Sequence, residues 1–178
     1  MKIHWDRFNI YLVVALAAVA VCGCRTSGKT NPKKLTSTLR LHLEVNPNGT
    51  KANEPVPVYR EKPVMVNIDL MPFLTEANVL DAKVVDAVGG FALRIQFDHA
   101  GTALLEECTT ANPGRRMAIF SQFGEKIKEK RWLAAPRIPR RISDGVLIFT
   151  PDTTREESEE IAVGLNNVSK KVRTWIDR

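Results

Sequence analysis

Residues 91–98 read FALRIQFD. Phe91, Leu93, Ile95 and Phe97 alternate with Ala92, Arg94 and Gln96, a period of two that predicts a strand with one buried face. Asp98 stands where a helix N-cap belongs, its carboxylate placed to accept from the first free amides. In the helix that follows, Leu104, Cys108 and Ala111 fall at spacings of four and three, with Leu105 beside them, which predicts a single apolar stripe. Asn112-Pro113-Gly114 stops that helix.

Downstream, residues 117–123, 131–138 and 145–150 read as three further strands. Pro151-Asp152-Thr153 opens a last helix, in which Thr153 and Glu156 have capping-box spacing. Glu156, Glu157, Glu159 and Glu160 crowd its positive end. Ile161, Leu165, Val168, Val172 and Trp175 mark one face of it. The order is strand, helix, three strands, helix. Strands joined by short turns pair antiparallel, and both helices must bury their stripes on one face of the sheet. The expected class is α+β: an antiparallel sheet with two helices on one face, and further strands N-terminal to it.

Those N-terminal strands begin at Leu39, where Leu39, Leu41, Leu43 and Val45 alternate with Arg40, His42 and Glu44. His42 falls on the polar side, and exposure is expected for it. Asn46-Pro47-Asn48-Gly49 is turn chemistry, and residues 54–57 stay extended. Residues 58–60, 64–68 and 84–88 read as short strands, residues 71–82 as a short helix or loop, and Gly89-Gly90 as a turn. The expected domain is therefore 38–178, with its centre at 91–168.

The first 23 residues read as a secretory leader: Lys2 and Arg7, then an apolar run over residues 10–22. A membrane-spanning helix needs about 20 apolar residues, so this run is too short to be one. Val21-Cys22-Gly23-Cys24 resembles the bacterial lipobox. That resemblance implies acylation of Cys24, loss of Cys22 with the leader, and anchoring in a membrane. Arg25, where an Asp would favour the inner membrane, favours the outer one. Residues 24–37 are polar and basic and read as the lipidated cysteine and a flexible tether.

The formal net charge is +6, and loss of the leader lowers it by only one. This balance suits anionic lipid or acidic partners, and in an exported protein it does not point to nucleic acid. Arg115, Arg116, Lys126, Lys128, Lys130, Arg131, Arg137, Arg140 and Arg141 concentrate in one region, with Phe123 and Trp132 among them. Arg115, Arg116, Lys126, Lys128, Lys130, Arg131 and Trp132, together with Trp175, form the candidate partner-binding set. Its ligand would be acidic polypeptide, lipid headgroup or polyanionic wall material; a solvated hairpin is the alternative.

No catalytic constellation emerges. Cys108 and His99 lie nine positions apart, on opposite sides of any shared helix. Metal-spaced His/Cys clusters, a glycine-rich phosphate loop and a nucleophile elbow are all missing from the sequence. Asp98 is accounted for as a cap and Asp144 as a turn residue. Neither an enzyme nor a cofactor is expected.

One family resemblance follows from these residues. Ile95-Gln96-Phe97-Asp98, Ala100-Gly101 with its Leu-Glu-Glu helix, and Gly114-Arg115-Arg116-Met117-Ala118-Ile119-Phe120 come in that order. Ala135-Pro136-Arg137-Ile138 and Phe149-Thr150 before a Glu-Glu helix complete the set. Together they resemble the head subdomain of the large periplasmic loop of SecD, over about residues 58–165. The resemblance implies an envelope domain that binds or docks polypeptide, linked to protein export. A structural envelope lipoprotein without such a ligand is the alternative. The family's membrane helices and intramembrane acid are not matched here, so proton-driven motor action does not carry over. The basic excursion 124–131 replaces the family's tight hairpin, and the last helix runs longer.

Overall fold

A computed structural model of the chain describes residues 31–176, apart from Asn48 and Thr50; the side chains of Glu125, Trp175 and Ile176 also lie outside the description. The leader and Cys24 therefore fall outside the described residues. Nine strands and two α-helices follow one another among those described: β1 (Thr38–Leu43), β2 (Asn53–Val58), β3 (Val64–Asp69), β4 (Leu74–Thr75), β5 (Val79–Ala87) and β6 (Gly90–Phe97), then α1 (His99–Ala111), β7 (Met117–Phe123), β8 (Glu129–Ala134), β9 (Val146–Phe149) and α2 (Arg155–Ile176).

All pairing is antiparallel, so the α+β class stands as expected. The strands nevertheless divide among three sheets, ordered β4-β1-β7-β8, β2-β3 and β5-β6-β9. The last strand does not continue the β7-β8 meander; it returns to β6, with Leu93 opposite Phe149 and Gln96 opposite Val146. Two features turn it away. Pro136 and Pro139 interrupt the connection, and the Asp152 amide occupies the Leu133 carbonyl on the outer edge of β8 at 2.7 Å.

The main core draws on both larger sheets and both helices. Leu39, Leu41, Ile119, Leu133, Leu93, Ile95 and Phe97 meet Leu105 of α1 and Ile161 and Leu165 of α2. A second core lies on the other face of the four-stranded sheet, where Val56, Val58, Val66 and Ile68 of the β2-β3 hairpin cover Ala118 and Ala135. That hairpin explains a difference at His42. Its position is the polar one by alternation, yet both faces of β1 are covered, and His42 is only 6 % exposed.

Helix α1 is rotated from the expected stripe. Its buried residues are Gly101, Leu105 and Thr109, while Leu104 is exposed. Gly101 permits this, because a Cβ there would stand 2.8 Å from Asn78 Cβ and 3.0 Å from Phe97 Cβ. Asp98 caps the helix as expected, accepting from the Gly101 amide at 2.7 Å. The box that starts α2 sits one residue later than expected. The Glu157 amide donates to Thr154 Oγ1 at 3.2 Å, and the Thr154 amide to Glu157 Oε2 at 2.9 Å.

The chain is fixed earlier than the expected tether end. Leu35 and Ser37 are buried, and Asn167 Nδ2 of α2 donates to the carbonyls of Pro32 (2.8 Å) and Leu35 (3.0 Å). The stretch 31–37 is thus part of the folded unit. Residues 71–82, expected as helix or loop, form β4, one 3-10 turn at Glu76–Asn78 and the start of β5.

Candidate functional site: a basic hairpin tip and an open sheet edge

The fold separates the basic residues that the sequence groups together. Arg115 donates through Nη1 to the Glu44 carbonyl at 3.0 Å, and the Arg116 amide to Glu44 Oε2 at 2.7 Å. Arg131 donates to both carboxylate oxygens of Glu157, at 2.7 and 3.1 Å, and lies 5.2 Å from the Phe123 ring centre. Burial pushes the Glu157 carboxyl up, but the Arg131 bonds and the Thr154 amide outweigh it and hold the group below the usual carboxylate range. Trp132 is half-buried, with its ring 5.4 Å from His42 and 4.9 Å from Phe120. Arg115, Arg131 and Trp132 are thus committed to the fold by their side chains, and Arg116 by its backbone.

Lys126 and Lys128 remain exposed on the excursion between β7 and β8, and Lys130 at the start of β8. The backbone there is unusual: Lys126 (φ +59) and Ile127 (φ +56) both adopt the left-handed region, which Ile seldom enters. Trp175 stands in the last turn of α2, its side chain outside the described residues.

At the other end of β7 lies a groove of about 480 Å³ between β9 and the segment 136–144. Met117, Ile138, Ile142, Leu147 and Ile148 give it an apolar lining, and Arg137, Arg140 and Arg141 give it a basic rim. The segment is anchored at both ends. Ile138 exchanges backbone bonds with Gly114 (2.9 Å) and Arg115 (2.8 Å), and the Ile142 amide donates to Thr109 Oγ1 at 3.0 Å. Arg137 donates to the Gly114 carbonyl at 2.9 Å, and Arg141 forms an ion pair with Glu106. Arg140 is exposed, and among the described residues no bonded partner engages it.

Burial shifts both Cys108 and His42. Burial, helped by the nearby Glu107 charge, pushes the Cys108 thiol up to about 11, so it stays protonated near neutral pH. His42 is placed between cores: burial pushes it below its ordinary value, and its Nδ1 lies 2.8 Å from the Asp69 carbonyl. Among the described residues, no group of three or more His, Cys, Asp and Glu could hold a metal ion. No described helix is long and apolar enough to cross a membrane.

Sequence reading singled out Arg137, Arg140 and Arg141 only as part of a charge run, and it did not find the groove. The one available signal was the pair Pro136 and Pro139, which keeps a hydrophobic stretch out of any sheet beside β9.

Comparison with known proteins bears on this arrangement. The profile of the SecDF P1 head subdomain family matches residues 53–169. The protein translocase subunit SecDF of Thermus thermophilus is 32% identical over 102 residues, covering 57% of this chain and 13% of its own length. The chain thus spans about an eighth of that relative. Two solved structures share the fold. One, described as a membrane component SecDF that enhances protein export, aligns at a TM-score of 0.54 and 22% identity, over 75% of this chain and 64% of the other. The second, SecDF in a super-membrane-facing form, gives 0.52 and 21%, over 74% of this chain and 19% of the other.

Proposed function

The chain belongs to the SecDF P1 head subdomain family, and from that premise we propose that it is a non-enzymatic, lipid-anchored envelope protein whose head domain docks polypeptide in support of protein export. The family match over residues 53–169 is the observation that carries this reading. The relative it resembles is a translocase subunit, and a related solved protein is described as enhancing export. The exposed Lys126, Lys128 and Lys130 suit an acidic segment, with rim charges that raise association rates more than they lower dissociation rates. Acylation at Cys24 holds the domain on the periplasmic side, with the outer membrane favoured by Arg25. Multiple acyl chains make such an anchor stable, each buried methylene contributing about 0.8 kcal/mol.

Two experiments test the two halves separately. Cell fractionation of Cys24→Ala is expected to move the protein from membrane to soluble fraction; unchanged membrane association would reject the anchor. A photoreactive residue at Lys128 in cells is expected to yield adducts with polypeptide. Adducts with lipid alone would favour attachment without a polypeptide ligand.

A further inference from the structure

Sheet edges are hazardous, because each presents unpaired amides and carbonyls to any extended chain. In this protein specific devices cover parts of several edges. On the outer side of β5, Asn166 of α2 imitates a strand: its Oδ1 accepts from the Ala82 amide at 2.9 Å and its Nδ2 donates to the Ala82 carbonyl at 2.8 Å. Ser169 and Arg173 occupy the Leu80 carbonyl further along. Asp152 covers Leu133 of β8. In β2 the outward-facing positions include Pro55 and Pro57, which have no amide to offer. The edge strand β4 is two residues long.

On β9 such cover is confined to Val146. The Phe97 amide donates to the Gly145 carbonyl at 2.9 Å, which fixes the alternation of bonds across the β6-β9 pair. Leu147 and Phe149 therefore direct their main-chain groups to β6, while Val146 and Ile148 direct theirs outward, toward the groove. Asp144 accepts from the Val146 amide at 3.1 Å. Among the described residues nothing bonds the Ile148 amide, the Ile148 carbonyl or the Val146 carbonyl. Ile148 is 57 % exposed.

We infer that β9 is a strand-addition site: an extended polypeptide segment pairs with Ile148 and Val146, turning alternate apolar side chains into the groove and acidic ones to its rim. This rests on the polypeptide-docking reading and names the surface and mode of that docking. Charge decides between occupants. A second copy paired edge to edge about a two-fold axis would set Arg137, Arg140 and Arg141 against the same three residues, a like-charge meeting that an acidic segment avoids.

The test uses the full chain and a short fluorescent peptide of alternating valine and glutamate, with its valine–lysine counterpart as control. Hydrogen exchange followed by NMR is expected to show the Ile148 amide slowed by the valine–glutamate peptide. Ile148→Pro deletes the outward amide and leaves the β6 bonds in place. It is expected to weaken binding about tenfold, the size of one lost hydrogen bond. Arg140→Glu is expected to weaken binding several-fold, with the valine–lysine peptide the poorer ligand for the native chain. Binding that leaves Ile148 exchange unchanged would overturn the inference, and this measurement on the native chain stands even where Ile148→Pro does not fold. Protection of Ile148 that rises with protein concentration and needs no peptide would assign the edge to a second copy, and also overturns it. A carboxymethylated, permanently unfolded protein separates the two levels. Its capture without Ile148 protection keeps polypeptide docking and rejects β9 as the place; capture of neither probe rejects both.

Discussion

At the scale of single residues, His42 shows how burial sets protonation. Sequence alternation puts it on the polar side of β1, yet the β2-β3 hairpin covers that side, and no pattern local to residues 39–45 carries this information. Burial is the largest influence on its pKa and lowers it; the Arg40 charge lowers it too, while the Asp69 carbonyl bond and carboxylate partly offset them. The folded protein thus takes up the proton less readily than the unfolded chain. Stability is full above the ordinary value of 6.5 and declines as pH falls below it, until the folded value is passed. Urea unfolding at successive pH values between neutrality and mild acid is expected to show this decline, and His42→Gln to flatten it. Thr154 offers a second check. Thr154→Ala removes the hydroxyl that accepts from Glu157, and should lower stability by about 1 kcal/mol in the same assay.

At the scale of elements, what the sequence disclosed and what it hid have separate physical causes. The strand at residues 91–97, the Asp98 cap and the strand of Met117–Phe123 were legible because each rests on local chemistry: alternation, a carboxylate beside free amides, an apolar run between breakers. The stripe of α1 was not, because its contacts are made by Gly101 and Thr109, which carry little apolar signal; close approach selected one and a hydroxyl bond the other. The return of β9 to β6 was hidden as well, since adjacency in sequence favoured β8, and it takes the occupied Leu133 carbonyl together with Pro136 and Pro139 to exclude it. The basic cluster was legible as composition but not as a surface, for Arg131 and Trp132 are spent on internal contacts. Asn166 is the element-scale counterpart of those contacts. Asn166→Leu leaves the Ala82 amide and carbonyl unpaired, and should cost about 1–3 kcal/mol. Exchange of the Ala82 amide should accelerate in that variant; unchanged protection would show that the β5 edge is closed by something other than this side chain.

At the scale of the whole molecule, the folded domain extends beyond the stretch that the family profile matches. The profile match starts at residue 53, whereas β1 and the 31–37 stretch precede it; β1 sits between β4 and β7, and 31–37 lies along α2. Gly164 makes the second of these contacts possible, since a Cβ there would stand 2.7 Å from the Ser37 amide nitrogen. Gly164→Ala is expected to destabilise by about 1–3 kcal/mol, as overpacking does, and thermal unfolding would register it. Two candidate contact surfaces then stand at opposite ends of β7: Lys126, Lys128 and Lys130 at one, the β9 groove at the other. The central claim is that the domain works by holding extended polypeptide. Photocrosslinking in exporting cells, with the reactive residue placed in turn at Ile148, at Lys128 and at the exposed Met71, which takes no part in the groove, tests it most directly. Polypeptide adducts at Ile148 and Lys128 with none at Met71 are the predicted result; equal yields at all three positions, or none at any, would contradict it.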